Sequence, residues 1–272
     1  MTAASALLPL AIAQLSVASP GSMPLPEAPA VEVWASEDWP ADSLAAAAAL
    51  PRASLAVSTR SNMLRPEVLA LATRRRTVIR LAPPLLPAHI EQLRALPRAT
   101  FVIALPPSPE ASLLSQLERL GPQAMRVQVD RLDEARSAFL GKLKNVEVEL
   151  DLRGRLPEQE ELSLFRRLAR ARRVARLRAS DAPEVIAGLR SVGLARIVIE
   201  ASEDRVPEPM LAALAQASAP VRVSLSGRAQ PSDVRRLGAL PGLSLELVLD
   251  DPPDVAVHRA EALLQGSARA SP

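Results

Sequence analysis

Ten short apolar segments recur along the chain, beginning at Val31, Ser54, Thr77, Thr100, Met125, Val146, Val174, Arg196, Val221 and Leu243. Successive starts lie 21 to 28 residues apart, with about 23 the commonest spacing. Within several segments apolar and polar residues alternate, the period of a strand with two unlike faces. In Val146-Glu147-Val148-Glu149-Leu150-Asp151-Leu152 one face is apolar and the other acidic. Val221-Arg222-Val223-Ser224-Leu225-Ser226 and Leu243-Ser244-Leu245-Glu246-Leu247 repeat the pattern. Arg126, Gln128 and Asp130 stand opposite Val127 and Val129, and Arg176 and Arg178 stand opposite Ala175 and Leu177. The earlier segments are less polar, with Ser54, Ala56 and Ser58, then Val78 and Arg80, then Val102 and Ala104 on that face.

Between the strands run segments with apolar residues at helical spacing, such as Ile90, Leu93 and Leu96, or Leu162, Phe165 and Leu168. Nine of them open near a proline: Pro40, Pro66, Pro87, Pro109, Pro157, Pro183, Pro207, Pro231 and Pro253. Proline suits a first helical turn, where its missing N–H would have no intrahelical partner. An acid often follows, as in Pro66-Glu67, Pro157-Glu158 and Pro183-Glu184, and complements the positive helix end. Helices of about 9–15 residues are expected, joining parallel strands through right-handed crossovers.

A βα unit repeated at this spacing is compatible with two architectures. In an open, horseshoe-like solenoid of about ten units the polar strand face is concave and solvated. In a closed TIM-like barrel the same face becomes the interior. Ten strands rather than eight, and three acids on the one strand from Val146, favour the open solenoid, because burying unpaired charge costs several kcal/mol per ion; Arg126, Arg176 and Arg178 on neighbouring strands offer partners and keep the barrel as the alternative.

Three segments carry a motif. Leu140-x-x-Leu143-x-x-Val146-x-Val148-x-Leu150, Leu194-x-x-Ile197-x-Ile199 and Leu240-x-x-Leu243-x-Leu245 resemble the strand segment of leucine-rich repeats. By spacing the resemblance covers residues 31 to 250. It implies an open α/β solenoid that binds a protein partner on its strand face. Where typical leucine-rich repeats place an asparagine after the strand, unit six has Asp151, Leu152 and Arg153.

Residues 31–265 are read as one βα-repeat domain and residues 266–272 as a disordered tail. Residues 1–30 are read as a leader plus a Pro-rich linker (SPGSMPLPEAPA, 19 to 30). The apolar run Ala6 to Ala18 ends in Ser16-Val17-Ala18, which resembles a cleavage site, so an exported, periplasmic protein is favoured over a cytoplasmic one. Against that reading, no Lys or Arg precedes the run and Pro9 interrupts it. The run is too short to span a bilayer.

With no Cys, disulfides and thiolate chemistry are excluded. With no Tyr and only Trp34, Trp39, Phe101, Phe139 and Phe165 as aromatics, the core must be Leu, Val, Ile and Ala, and base-stacking platforms are disfavoured. The net charge is +3, and the sequence pI near 10.3 reflects the scarcity of groups that titrate above neutrality. Nucleic acid is therefore an unfavoured partner. The arginines Arg166, Arg167, Arg170, Arg172, Arg173, Arg176 and Arg178 follow a segment opening with Glu158, Glu160 and Glu161. This order fits helix-dipole complementation, with an anionic partner as the alternative. Arg74-Arg75-Arg76 sits at a matching helix end.

No motif of nucleophilic, phosphate-binding or metal-binding character occurs, and no cofactor or metal is expected. His89 and His258 are lone helical residues. These features favour a non-enzymatic binding or scaffold protein whose exposed face is Arg126, Glu147, Glu149, Arg176, Arg178, Arg222 and Glu246. The alternative is a barrel enzyme using acids at the strand ends, Asp130, Asp151, Glu200 and Asp250, with a divalent metal as a variant of that reading.

Overall fold

The computed structural model describes residues 30–50, 53–59, 63–121, 124–201, 206–226, 237, 243–249 and 252–268. Among these residues there are ten strands: β1 (Ala30–Ser36), β2 (Ala53–Ser58), β3 (Thr77–Leu81), β4 (Ala99–Ala104), β5 (Ala124–Val129), β6 (Val146–Asp151), β7 (Arg172–Arg178), β8 (Arg196–Ala201), β9 (Val221–Ser226) and β10 (Leu243–Leu249). Each begins within two residues of the position expected from the alternating pattern. Among the described residues the helices are α1 (Ala41–Ala49), α2 (Pro66–Arg74), α3 (Pro87–Arg94), α4 (Ala111–Arg119), α5 (Glu134–Leu140), α6 (Gln159–Arg167), α7 (Glu184–Leu189), α8 (Glu208–Leu214) and α9 (Pro253–Ala268).

Proline is the first residue of α2, α3 and α9, and the residue just before α1, α7 and α8. Pro231 lies outside the described residues. Where α5 lacks a proline, Asp133 caps it, its carboxylate accepting the Arg136 backbone N–H at 2.8 Å. Four helices, α3, α5, α7 and α8, are shorter than expected, at six to eight residues, and four others sit at the lower bound of nine. A 23-residue unit that spends about six residues on a strand and two loops on reversing direction leaves only two helical turns.

Every strand is parallel to its neighbours, and the sheet closes: β10 pairs with β1 through Ala30↔Glu246, Val31↔Leu247, Glu32↔Val248 and Val33↔Leu249. This closure corrects the expectation of an open, leucine-rich-repeat-like solenoid. The chain is a ten-stranded βα barrel, related to the TIM-like alternative but wider than its eight strands. The expected cost of burying the acids of β6 is avoided because arginines from neighbouring strands meet them, as described below.

The outward strand face and the helices enclose the apolar core. Val33, Ile79, Phe101, Val127, Val148 and Ile199 of the strands are fully buried there, packed with Leu44, Ile90, Leu93, Leu117 and Phe165 of the helices. A buried side chain of this size contributes roughly 1.5–3 kcal/mol. The apolar half of the alternating pattern therefore faces the helices, and the polar half faces the barrel axis. Among the described residues no helix is long and apolar enough to cross a membrane.

Candidate functional site inside the barrel

An eight-stranded barrel is just wide enough for its own side chains to fill, and added strands open a cavity. Ten strands here enclose a cavity of 780 Å³, in the size range of small-molecule sites. It reaches from mid-barrel residues such as Glu32, Val78, Val102, Arg126 and Glu149 to Leu105, Asp130 and Arg153, which follow the C-terminal ends of β4, β5 and β6. The site thus lies in the C-terminal half of the lumen, the end where parallel barrels gather their functional loops.

The floor below it is an ion-pair lattice. Glu147 Oε1 accepts from Arg126 Nε at 2.8 Å and from Arg196 Nη2 at 2.9 Å, linking β5, β6 and β8. Arg222 Nη1 donates to Glu246 Oε1 at 3.1 Å between β9 and β10. One level higher, Glu149 Oε1 accepts from Arg176 Nε at 2.8 Å and Gln128 Nε2 at 2.9 Å. Burial opposes ionisation of Glu149, but the Arg176 guanidinium outweighs it and holds the carboxyl below its usual range. Arg126 is likewise desolvated, yet Glu147 and Glu149 beside it raise its pKa and keep it charged.

Six of the seven residues expected on an exposed binding face, Arg126, Glu147, Glu149, Arg176, Arg222 and Glu246, therefore line the lumen and bond chiefly to one another. Arg178 stands exposed at the end of β7. A scaffold that presents this face to a protein partner is overturned by the closure of the sheet, because the face is inside.

The strand-end acids are held by arginines. Asp130 Oδ1 lies 2.9 Å from Arg136 Nη1, and Arg136, buried at 3% exposure, also donates to the Pro106 and Arg131 carbonyls. Both Asp151 oxygens take the Arg153 guanidinium, and these bonds outweigh burial and hold its carboxyl low. Arg153 Nη1 also bonds Glu200 Oε2 at 2.7 Å. Asp250 lies outside the described residues. Among the described residues no three His, Asp or Glu side chains gather as a metal site.

Three residues that sequence reasoning passed over complete the cavity wall: Glu32 and Trp34 of β1, and Arg80 of β3. Arg126, Arg176, Arg196 and Arg222 each bond a carboxylate, whereas Arg80 makes no ion pair among the described residues; its guanidinium carbon lies 4.0 Å from the Trp34 ring centroid. Burial, and then the nearby Arg176, lower its pKa. Among the described residues Glu32 is a lumen carboxylate without an arginine bond, and its side chain accepts a hydrogen bond from Trp34 Nε1 at 2.6 Å. Burial, and then the Glu246 charge, push its pKa up. The legible signal was a single charge on each of two strands otherwise lined by small or apolar inward residues.

No family model and no curated protein matches the chain. Among solved structures it is similar to the homocysteine methyltransferase MmuM of Escherichia coli, at 13% identity and a TM-score of 0.44 over 87% of this chain and 96% of that one. Tryptophan synthase of M. tuberculosis gives 17% and 0.42 over 89% and 92%. The 2-keto-3-deoxy-6-phosphogluconate aldolase of Zymomonas mobilis ZM4 gives 16% and 0.41 over 90% and 93%. At this level of likeness the chain's chemistry has to be argued from its own residues.

Proposed function

We propose that the protein is a barrel enzyme acting on a small anionic molecule in the C-terminal half of the lumen. Arg80 receives the carboxylate or phosphate of that molecule, and Glu32 exchanges a proton with it. The observation that carries this reading is that Arg80 and Glu32, on either side of Trp34, form no direct ion pair among the described residues, while the other described charges of the lumen do. A guanidinium whose N–H donors are not taken by a carboxylate is a ready anion receptor, with planar, paired donors. Its place over the Trp34 ring holds the guanidinium at the cavity wall, with its N–H donors available to a ligand. A carboxyl whose pKa is raised by burial moves toward the range useful for general acid–base work. The proton on Glu32 passes to or from the ligand, and the Trp34 N–H steadies the carboxylate when it is charged.

The test is calorimetric titration of inorganic phosphate and of small di- and tricarboxylates into the protein and its Arg80→Met variant. Binding that is lost in the variant supports the reading. Equal binding by both proteins overturns it.

A further inference from the structure

In a parallel barrel every strand starts at the same end, so all loops that lead from a helix into the next strand share one face. Six successive loops, from the one before β3 to the one before β8, each place exposed cations there: Arg75, Arg98, Arg119, Lys144, Arg170 and Arg190 are one from each. From the last turn of each helix through the first residue of the next strand, these loops hold thirteen exposed Arg and Lys against two exposed acids, Glu91 and Glu118. Helix-dipole complementation explains one or two cations at a helix end. It does not explain Arg74, Arg75 and Arg76 in succession, nor Arg166, Arg167, Arg170 and Arg172 together. The large exposed apolar side chains, Met63, Leu86, Leu156 and Val255, all lie toward the opposite, C-terminal end.

A second feature meets this face. β1 begins at Ala30 on the same end of the barrel, so the chain before it joins the protein there. The first 26 residues carry no charged side chain, and Ala6 to Ala18 is apolar except for Gln14 and Ser16. The twelve residues from Ala18 to Ala30 can reach about 40 Å when extended.

We propose that the chain keeps residues 6–18 uncleaved and that the basic end face docks on an anionic lipid surface, with that segment as the apolar second anchor. A short apolar segment alone gives marginal, reversible membrane binding, and a polybasic patch beside it makes the attachment stable. The absence of an exposed aromatic from these loops favours headgroups over stacked nucleobases. Docking at this end leaves the C-terminal mouth of the lumen facing the solution, so the inference stands independently of the proposed chemistry.

The experiment is co-sedimentation of the full chain with vesicles of phosphatidylcholine alone or with phosphatidylglycerol at 30 mol % (roughly the anionic content at which polybasic attraction is strong). Binding should require the anionic lipid and weaken at high salt. R75E/R76E/R167E/R170E should bind at least tenfold more weakly, while the Arg→Gln set at the same positions falls between. L10E/L15E should also lose affinity while still preferring anionic vesicles. Equal binding to neutral vesicles, no loss with the charge reversals, or no loss with the charged leader would each overturn the proposal. So would tight, reversal-sensitive binding of duplex DNA by a protein that ignores the vesicles. Melting temperatures matching the parent protein identify the variants as folded, and the Gln set carries the test if the reversals do not fold.

Discussion

Replacing Glu149 by Leu separates a closed barrel from an open array. Glu149 is 3% exposed at its side chain and accepts from Arg176 Nε at 2.8 Å and Gln128 Nε2 at 2.9 Å. Leucine fills most of the volume but leaves Arg176 with only the Glu200 carboxylate, 3.7 Å away. Breaking a buried pair from one side costs about 3–5 kcal/mol, and the residual Glu200 contact places this case near 3. For a domain of this size each kcal/mol moves Tm by about 2–4 °C, so Glu149→Leu should melt roughly 6–12 °C lower. Circular-dichroism melts at pH 7 measure this, with Arg176→Met and the double variant closing a cycle. The double variant should recover part of the loss, because an apolar pair replaces a buried ion pair better than a lone charge does. A loss below about 1 kcal/mol, abolished by 1 M salt, would be the behaviour of a solvated surface pair and would refute the buried lumen.

Other expectations follow from the same site. Glu32→Gln should raise Tm, and more at pH 8 than at pH 4: a carboxyl with a raised folded pKa loses stability as pH climbs through that pKa, and the amide removes that loss. Arg80→Met should hold or raise Tm while weakening phosphate or carboxylate binding at least tenfold, the value of roughly 1.5–3 kcal/mol for hydrogen bonds to a charged group; titration calorimetry reads both proteins. The depressed carboxyls of Glu149 and Asp151 contribute stability that is complete above the unfolded carboxylate range and lost as pH falls through their folded values, so Tm should drop steeply on acidification below about pH 4. Trp34→Leu removes the platform under Arg80 and the donor to Glu32, and should weaken anion binding with little change in Tm.

The alternating pattern made the ten strands legible, because period two and the proline at each helix start are local properties. Closure was not legible, because an open array and a barrel share the same inward parity, and the difference lies in a seam between β1 and β10, which pair Ala30 with Glu246 at opposite ends of the domain. Arg126, Arg176 and Arg178 are legible as partners for the acids of β6 and keep the barrel as an alternative, but the sequence does not show that the pairs form. Arg196 reaches Glu147 from two strands away, a match that local reading does not show. One clue was available: arginine-bearing β5 and β7 flank acidic β6, and Arg222 precedes Glu246 by one unit, as paired charges require. The absent asparagine in the strand-end position also spoke against leucine-rich repeats. Of the site, the floor residues are legible as one polar face, whereas the grouping of Glu32, Trp34 and Arg80 is not, because a single charge on each of β1 and β3 shows no partner within its own strand.

The central claim is that the sheet closes with a lumen inside. The chain has no cysteine, so spin labels at Ala46→Cys on α1 and Val255→Cys on α9 report on the seam alone. In the closed barrel α1 packs against α9, with axes about 8–10 Å apart, and double electron–electron resonance should give one short distance. An open array would hold β1 and β10 nine strand spacings apart, roughly 40 Å of arc, and a long or broad distribution of that order would contradict the account.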